Sequence, residues 1–246
     1  MSTHGSSFVI LKQVDSTNNY AMALVHEGLA KHGEAVFAHQ QTQGKGQRGK
    51  VWQTGIDENI ALSIILKPKQ REILVPFQLS ATIALAVFDF FSKYAGEEVT
   101  IKWPNDIYWR DRKAAGILIE NVIKGSSWKW AVAGIGININ QTIFDESLKA
   151  AVSLKQIVGE HFDTLALARE LHQIVLLRLN EGLTKPYELL LEEYQQRLFR
   201  INQLVRLKKN NIVFETKIKG ISADGKLLTQ DIIDNAFEFG EIDWML

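Results

Sequence analysis

Apolar and polar positions alternate over short runs through the first half of the chain, and this pattern predicts strands joined by tight turns. Longer segments, in which apolar residues recur every three or four positions, predict helices. The predicted strands cover residues 8–11, 35–38, 59–66, 99–103, 107–109, 114–120 and 128–135. The predicted helices cover residues 20–28, 76–95, 165–183 and 186–199. Hairpins at this density favour an antiparallel or mixed sheet over a doubly wound parallel one.

The pattern changes near residue 200, where short strands and tight turns replace the helices. Strands are predicted at residues 204–207, 213–221, 226–229 and 236–239, with a turn at Ala223-Asp224-Gly225. Such an all-β tail suits a small barrel packed on the main domain. The predicted fold class is therefore α+β, with a mixed sheet flanked by helices in residues 1–199 and a small β-barrel in residues 200–246.

The chain has 246 residues with 28 Lys plus Arg and 28 Asp plus Glu, so its formal net charge is zero. No overall field attracts nucleic acid or an anionic membrane, and any recognition of anions has to be local. There are no cysteines, which excludes disulfides and cysteine-ligated metals. No apolar run approaches the roughly 20 residues of a membrane span, and residues 1–7 lack the apolar part of a signal peptide, so we expect a cytoplasmic protein.

A glycine-rich cationic loop follows the strand predicted at residues 35–38. It combines three glycines with cationic and amide side chains: Gly44, Lys45, Gly46, Gln47, Arg48, Gly49 and Lys50. Glycine allows close backbone approach, and free N–H groups beside cations can line an anion-binding nest. The loop lacks the spacing of a Walker A motif, and no helix follows it as in a dinucleotide fingerprint. Two interpretations stay open, a phosphate-handling loop and a solvated basic surface loop.

Polar side chains also gather at three other places. Residues 15–19 precede the first predicted helix, where simple N-capping is the favoured interpretation and a ligand-orienting site is the alternative. Asn138 and Asn140 share one face of a predicted strand because successive side chains alternate. Lys113 lies where a charged turn enters the strand at residues 114–120, and by itself it would be an exposed turn lysine.

Five motifs occur together in one order along the chain. They are DSTN at residues 15–18, QT-x-GKGQRGK-x-W at 41–52, KWPND at 102–106, RK-x-AGILIE at 112–120 and GIGIN at 134–138. This order resembles the biotin protein ligases, also called biotin–[acetyl-CoA-carboxylase] ligases, over nearly the whole chain. KWPND and the lysine with AGILIE are the most specific parts. The chain starts directly at the catalytic strand and so resembles the short form of the family, which lacks an N-terminal helix-turn-helix domain.

The resemblance implies a two-step reaction with ATP and biotin as substrates. Biotin and ATP give biotinyl-5′-adenylate and pyrophosphate, and the adenylate then acylates a lysine of a biotin carboxyl carrier protein. Mg²⁺ is expected with the ATP, and its protein ligands stay unassigned. The family's catalytic domain is a mixed sheet related to class II aminoacyl-tRNA synthetases. Its C-terminal domain is a small SH3-like barrel, in agreement with the pattern after residue 200.

The resemblance also implies roles for individual residues. Those that match biotin ligands are Ser16, Thr17, Asn18, Gln41, Gly46, Lys113 and Gly116. Those that match ATP or adenylate ligands are Lys45, Gln47, Arg48, Lys50, Trp52, Asn105 and Asn138. The implied catalytic residues are Lys113, Lys45 and Asp106. Asp106 could act on the acceptor lysine or on magnesium, and both stay open, while Trp52 considered alone would more often be a core residue.

The glycine loop departs from the commoner family pattern GRGRRGR at three positions. Lys45, Gln47 and Lys50 each replace an arginine. Lysine keeps the charge and loses the bidentate fork, whereas Gln47 loses the charge as well. These departures concern the details of phosphate contact, and the implied reaction class is unchanged.

Two other functions are alternatives to a biotin ligase. A lipoate- or octanoyl-handling ligase of the same fold would hold an aliphatic chain, which suits the polar residues 16–18 less well than a ureido ring does. A non-catalytic biotin or nucleotide sensor acting as a transcription regulator would need a DNA-binding module, and the sequence shows neither a helix-turn-helix nor a net basic charge. We therefore expect no specific DNA binding, no membrane association, and a monomer or homodimer.

Overall fold

Seven strands form a mixed sheet in the first part of the chain. The computed structural model describes residues 8–52, 55–68, 76–125, 127–148, 150–182 and 185–245. The strands are β1 (Phe8–Leu11), β2 (Glu34–Ala38), β3 (Asn59–Leu66), β4 (Val99–Lys102), β5 (Asp106–Trp109), β6 (Arg112–Lys124) and β7 (Ser127–Asn138). Their order in the sheet is β1-β2-β3-β7-β6-β5-β4, with β1 and β2 parallel and the other neighbours antiparallel. The prediction of a mixed sheet is confirmed.

Helices cover both faces of this sheet. In the described residues they are α1 (Thr17–His26), α2 (Pro76–Ala95), α3 (Leu154–Val158), α4 (Thr164–Gly182) and α5 (Tyr187–Gln196). Neighbouring strand side chains point to opposite faces, so Phe37 and Ile64 join the large core with α2, whereas Val36 and Ile65 pack with α1. Helix α2 is buried along most of its length, so it serves as scaffold on one face of the sheet. A site can therefore form on the other face, where α1 packs.

One helix prediction needs correction, and one short helix was not predicted. The helix predicted to reach residue 199 ends at Gln196, because the following residues bond strand β4 instead. Ile101 N donates to Arg197 O at 2.8 Å, and Phe199 N donates to Ile101 O at 2.9 Å. Helix α3 has no counterpart among the predicted elements, since its 5 residues are too few to show a helical period. Residues 1–7 and Leu183, which the sequence predictions include, lie outside the described residues.

A second, five-stranded antiparallel sheet forms the end of the chain. Its strands are β8 (Leu204–Lys209), β9 (Ile212–Ile221), β10 (Leu227–Gln230), β11 (Asp234–Phe237) and β12 (Asp243–Trp244), in the order β11-β10-β9-β8-β12. The predicted small β unit is thus confirmed, whereas β12 was missed because a two-residue strand shows no alternation. The domain boundary between residues 199 and 200 stays a prediction.

The C-terminal sheet contacts the turn between β4 and β5 through the KWPND motif. Trp103 Nε1 donates to the carbonyl of Gly225 at 2.9 Å, and the Trp103 ring lies edge-on to Phe239. From the other side, the Tyr194 hydroxyl of α5 donates to the Pro104 carbonyl at 3.0 Å. The motif is therefore held between two parts of the fold. No helix in the described residues is long and apolar enough to cross a membrane.

Candidate active site

A cavity of about 390 Å³ opens on the α1 face of the mixed sheet. Its size lies in the range of small-molecule sites. Every site residue predicted from the sequence lines it: Ser16, Thr17, Asn18, Gln41, Lys45, Gly46, Gln47, Arg48, Lys50, Trp52, Asn105, Asp106, Lys113, Gly116 and Asn138. Residues that come from the five motif segments of the chain therefore meet around one space.

The floor of the cavity is made of small residues on the central strands. Gly136 pairs with Gly116 on one side and with Ala61 on the other, so all three share the α1 face. A Cβ on Gly136 would lie 2.3 Å from Cε2 of Trp52, whose indole rests on this strand. At Gly134 a Cβ would lie 2.2 Å from Asn18 Oδ1. The two glycines of β7 thus let the indole and a polar side chain lie directly on the sheet.

A buried polar cluster occupies the end of the cavity near the start of α1. Gln41 Oε1 accepts from the backbone N of Thr17 at 2.8 Å and from its hydroxyl at 3.0 Å. Ser63 Oγ donates to Asn18 Oδ1 at 2.5 Å and lies 2.8 Å from Thr17 Oγ1. Asn18 Nδ2 donates to Glu120 Oε2 at 2.8 Å. These bonds fix neutral donors and acceptors in place at one end of the floor.

The favoured interpretation of this cluster as a simple helix cap is wrong. Ser16 occupies the N-cap position of α1, yet its side chain makes no capping hydrogen bond. Ser16, Thr17 and Asn18 are all buried, and the bonds of Thr17 and Asn18 run across to β3, β6 and Gln41. The cluster is therefore organised around the cavity and not around the helix terminus.

The glycine loop folds back on itself above the floor. Trp52 N donates to Gly44 O at 2.8 Å, and Gly46 N donates to Lys50 O at 2.7 Å, which closes a turn with Arg48 at a φ of 55°. A Cβ on Gly44 would lie 2.3 Å from the carbonyl oxygen of Trp52, so the close approach of the two backbone segments requires glycine.

Three side chains of the loop reach other elements, so a loop directed only to solvent is ruled out. Gln47 Nε2 donates to Ile117 O in β6 at 3.3 Å. Lys45 Nζ lies 3.7 Å from Glu120 Oε1, and Arg48 Nη1 lies 3.6 Å from Asp243 Oδ1 of β12. Both cations remain about half exposed, at 44% and 54%. They are therefore available to an anion that enters the cavity.

Lys113 and Asp106 form an ion pair inside the cavity, with Nζ and Oδ1 2.7 Å apart. The backbone of Lys113 is held by the segment before α3, since its N donates to Ala150 O at 2.6 Å and its carbonyl accepts from Val152 N at 2.9 Å. Lys113 is thus not an unconstrained turn lysine. Its ammonium, 34% exposed, is directed at a fixed carboxylate beside the floor.

The two asparagines predicted on the nucleotide side have their amide donors already engaged. Asn105 Nδ2 donates to the carbonyl of Ile117, and Asn138 Nδ2 donates to Val152 O at 3.2 Å. Both residues line the cavity while bracing its walls. Asn140 is different, because its side chain exchanges hydrogen bonds with the backbone of Phe162 and does not line the cavity.

Sequence reasoning missed several lining residues. Gly134 and Gly136 carried a signal that was not used, since glycine inside a strand often marks a close approach. The wall built by the C-terminal sheet comprises Phe239, Gly240, Ile242, Asp243 and Trp244, and no local pattern could have indicated it. Glu120 belongs to the RK-x-AGILIE motif, which gave it no role, and the structure shows it hydrogen-bonded to Asn18 and ion-paired with Lys45.

Lys102 is another lining residue to which the sequence gave no role. Its Nζ lies 5.1 Å from the ring centroid of Tyr108 and 5.4 Å from that of Trp244. The pKa of the Lys102 ammonium is lowered to about 8 by all nearby groups together, and burial is the largest cause. Lys113 and Lys50 also lower it, while Asp106 and Asp243 act in the opposite direction.

The carboxylates of the described residues do not build a metal-binding cage. No group of three or more His, Cys, Asp or Glu side chains there could hold an ion, and Asp106 is paired with Lys113. Mg²⁺ in nucleotide-dependent sites is bound by substrate phosphates and waters with few protein carboxylates. The donor set fits a magnesium that arrives with the nucleotide, and this expectation stays a prediction.

The cavity brings neutral polar groups and several cations together over a glycine floor, as an enzyme that activates a carboxylate with a nucleotide would need. A family model described as the Biotin/lipoate A/B protein ligase family matches residues 10–138, and the chain belongs to this family.

Named relatives and solved structures agree with this assignment. The chain is 34% identical over 249 residues to the "Bifunctional ligase/repressor BirA" of Escherichia coli, covering 97% of this chain and 74% of that protein. It is 38% identical over 133 residues to the "Biotin--[acetyl-CoA-carboxylase] ligase" of Paracoccus denitrificans, covering 53% of each. A biotin protein ligase from Aquifex aeolicus in complex with biotin and ATP shares the fold, with a TM-score of 0.82, 24% identity, and coverage of 97% of this chain and 98% of that one.

Proposed function

We propose that the protein is a biotin protein ligase, which activates biotin with ATP and transfers it to a lysine of a biotin carboxyl carrier protein. The observation that carries the proposal is the single cavity that combines a neutral polar cluster with several cations. Its neutral polar cluster suits a ureido ring, and its cations suit a carboxylate meeting a polyphosphate. Relatives named biotin–[acetyl-CoA-carboxylase] ligase, and solved biotin protein ligases with biotin and ATP, support this activity.

In the first step, a carboxylate oxygen of biotin attacks the α-phosphorus of ATP. A P–O bond to biotin forms, the bond to the bridging oxygen breaks, and pyrophosphate leaves with the electron pair. Two anions have to approach, so cations that neutralise the developing charge give the largest gain. Lys113, Lys45, Arg48 and Lys50 are the proposed source of this charge, with Lys113 already positioned by Asp106 at 2.7 Å.

The proposed biotin subsite lies at the polar end of the floor. The ureido ring carries two N–H donors and a carbonyl acceptor, which Ser16, Thr17, Asn18 and Gln41 can satisfy with their mixed donors and acceptors. The polar side chains are already fixed by mutual hydrogen bonds, so binding costs little conformational entropy. Gly46 and Gly116 leave room beside the carboxylate end.

The proposed adenylate subsite uses the loop and the strand ends. The Trp52 indole offers an aromatic face and lies on the floor at Gly136. Gln47 lies within hydrogen-bonding distance of β6, and Asn105 and Asn138 complete the wall. Closure of the loop over the adenylate would exclude water, which otherwise hydrolyses the mixed anhydride.

In the second step, the neutral amine of the acceptor lysine attacks the acyl carbon of the adenylate. The acceptor ammonium first gives one proton to water to become this neutral amine. A C–N bond then forms as the acyl C–O bond to AMP breaks with its electron pair going to AMP, and the nitrogen gives its second proton to water. Asp106 is the proposed carboxylate that attracts the acceptor ammonium to the cavity. There the acceptor lysine replaces Lys113 as the ion-pair partner of Asp106. A cytoplasmic location and a monomeric or homodimeric state belong to the same proposal.

Mass spectrometry of a carrier domain tests the proposal. With biotin, MgATP and the protein, the carrier should gain the mass of one biotinyl group on its acceptor lysine, and omission of either small molecule should abolish the gain. Lipoic acid in place of biotin is the matched competitor, because it offers a carboxylate without a ureido ring. Labelling with lipoate and not with biotin would replace the proposal by a lipoate ligase of the same fold.

A further inference from the structure

We infer that Lys102 is a further substrate-binding residue of this site, whose ammonium holds the β- and γ-phosphates of ATP and then the leaving pyrophosphate. The inference rests on the proposed function and adds to it a residue for the polyphosphate. Lys102 ends strand β4 at the start of the KWPND motif and lines the cavity between the catalytic sheet and the wall supplied by β12.

The geometry gives Lys102 a fixed position, and no carboxylate among the described residues forms an ion pair with it. Its Nζ lies between the rings of Tyr108 at 5.1 Å and Trp244 at 5.4 Å. Tyr108 and Trp244 both pack on Phe199, so the aromatic support is itself braced. Ring faces attract a cation without neutralising it. An ammonium held in this way keeps its charge available to a ligand.

The charges around Lys102 leave room for an anion. Lys50 and Lys113 also line the cavity and act on Lys102 as like charges, whereas Asp106 and Asp243 are the carboxylates that act on it. Asp106 is already paired with Lys113 at 2.7 Å, and Asp243 lies 3.6 Å from Arg48. Both carboxylates therefore serve other cations. A polyphosphate of several negative charges would compensate the three lysines together.

The lowered pKa of Lys102 is consistent with a lysine that binds an anion. Burial is the largest cause that lowers its pKa to about 8, and the like charges add to it. With a pKa near 8, a fraction of the Lys102 side chains is neutral at pH 8. A bound polyphosphate favours the ammonium and raises the pKa, so ATP binding at pH 8 takes up protons through Lys102.

Half-reactions of Lys102→Met test the inference against a matched control. Lys67 is an exposed lysine outside the cavity whose Nζ also lies over an indole, 5.5 Å from Trp130, so Lys67→Met removes a comparable cation–π contact. We expect Lys102→Met to raise the KM for ATP by about 10- to 100-fold, with biotin binding unchanged within about twofold. Lys67→Met should match the wild type, and Lys102→Arg, which keeps the charge, should retain most of the activity.

Synthetic biotinyl-adenylate separates the polyphosphate role from a structural one. This compound bypasses the polyphosphate, so Lys102→Met should transfer biotin from it to the carrier within about twofold of the wild type. Equal loss in both half-reactions, together with a lower melting temperature, would show that Lys102 only supports the β12 wall and would overturn the inference. An unchanged KM for ATP would overturn it as well. A wild type that biotinylates no carrier from either source would instead contradict the proposed function.

Proton uptake gives a second readout that a purely structural role would not produce. Calorimetric titration of ATP in buffers of different ionisation enthalpy should show proton uptake at pH 8 for the wild type and much less for Lys102→Met. Equal uptake by the two proteins would mean that the protons come from another group, and would contradict the assignment of Lys102 to the polyphosphate.

Discussion

Lys113 is the residue whose ion pair with Asp106 places an ammonium in the cavity, where we propose that it acts in the first step. Its ammonium contacts Asp106 at 2.7 Å and is 34% exposed, so truncation removes a charge without opening the core. We predict that Lys113→Ala lowers the rate of adenylate formation by at least about 100-fold, as loss of a preorganised donor does elsewhere. Biotin-dependent pyrophosphate release measures it.

A control on the same strand separates the role of Lys113 from a general effect of charge. Lys124 ends β6 on the surface, away from the cavity, so Lys124→Ala should release pyrophosphate at the wild-type rate. Both variants should keep the thermal stability of the wild type within a few degrees. Wild-type turnover by Lys113→Ala would remove it from the catalytic residues.

Substitution of Gly136 tests whether catalysis requires the Trp52 indole to lie on the floor of the cavity. A Cβ there would lie 2.3 Å from Trp52 Cε2 and 2.7 Å from its Nε1, so Gly136→Ala has to displace the indole. We predict a loss in kcat/KM for ATP of about 10- to 100-fold, because small displacements of positioning groups cost that much. Steady-state kinetics and the indole fluorescence maximum should change together.

Gly182→Ala is the matched control for the floor variant. Gly182 ends α4, and the nearest atom to a Cβ there is Thr82 Oγ1 at 3.9 Å, so the added methyl group fits. Its kinetics should equal those of the wild type. If Gly136→Ala turned over as fast as this control, the indole would not need to lie on the sheet during catalysis.

Substitution of Gln47 tests how firmly the glycine loop holds biotinyl-adenylate. Its amide donates to Ile117 O at 3.3 Å, so the side chain points into the site and not to solvent. An arginine there would add a cation beside the adenylate phosphate, and charge-assisted bonds are about twice as strong as neutral ones. We predict that Gln47→Arg slows escape of biotinyl-adenylate by about threefold to thirtyfold, measured without carrier at two salt concentrations.

Gln43→Arg provides the control for the added charge. Gln43 lies on the same segment but is exposed and outside the cavity lining, so an arginine there should leave the escape rate unchanged. Identical escape rates for Gln47→Arg and the wild type at low salt would mean that residue 47 does not reach the phosphate.

At the scale of elements, the glycine loop at residues 44–50 is closed by hydrogen bonds, although its sequence only weakly favours any one backbone conformation. Two backbone hydrogen bonds close it, yet its glycines have little conformational bias and its cations repel one another without an anion. We predict that trypsin cleaves at Arg48 readily in the free protein, and several-fold more slowly with biotin and ATP. Cleavage at Lys124 serves as the internal control, and equal protection at both sites would contradict a ligand-ordered loop.

The main elements could be predicted because their patterns are local. Strand β3 and helix α2 were predicted with the bounds that the structure shows, since one is a short, almost continuous apolar run that is buried throughout and the other repeats every three or four residues. Elements as short as α3 and β12 carry too few residues for either period. The end of α5 was placed too late because tertiary bonds to Ile101 override the helical pattern of residues 197–199.

The sequence motifs predicted the main residues of the candidate site, but they could not predict contacts between segments that lie far apart in the sequence. Residues such as Asp106 and Lys113 stand in motifs, and the structure brings them together in one cavity. The contact of Arg48 with Asp243 and the place of Lys102 against Trp244 join segments far apart in the sequence. No local pattern encodes such contacts, so the C-terminal wall could be found only in the folded chain.

At the scale of the whole molecule, the two sheets share the work of enclosing the substrates. The mixed sheet supplies the floor, the polar cluster and Lys113, and the C-terminal sheet supplies a wall from Phe239 to Trp244. The KWPND turn connects them through the bond from Trp103 to Gly225 at 2.9 Å. One enclosed cavity can therefore form an adenylate and protect it from water until the carrier arrives.

Isolation of the enzyme-bound intermediate tests this central claim most directly. The protein is incubated with biotin and ATP labelled at the α-phosphate, and small molecules are removed by rapid gel filtration. The account predicts that labelled biotinyl-adenylate elutes with the protein, and that carrier added without ATP gains biotin as an equal amount of AMP is released. Elution of the protein without label, or transfer that requires fresh ATP, would contradict a single cavity that makes and holds the adenylate.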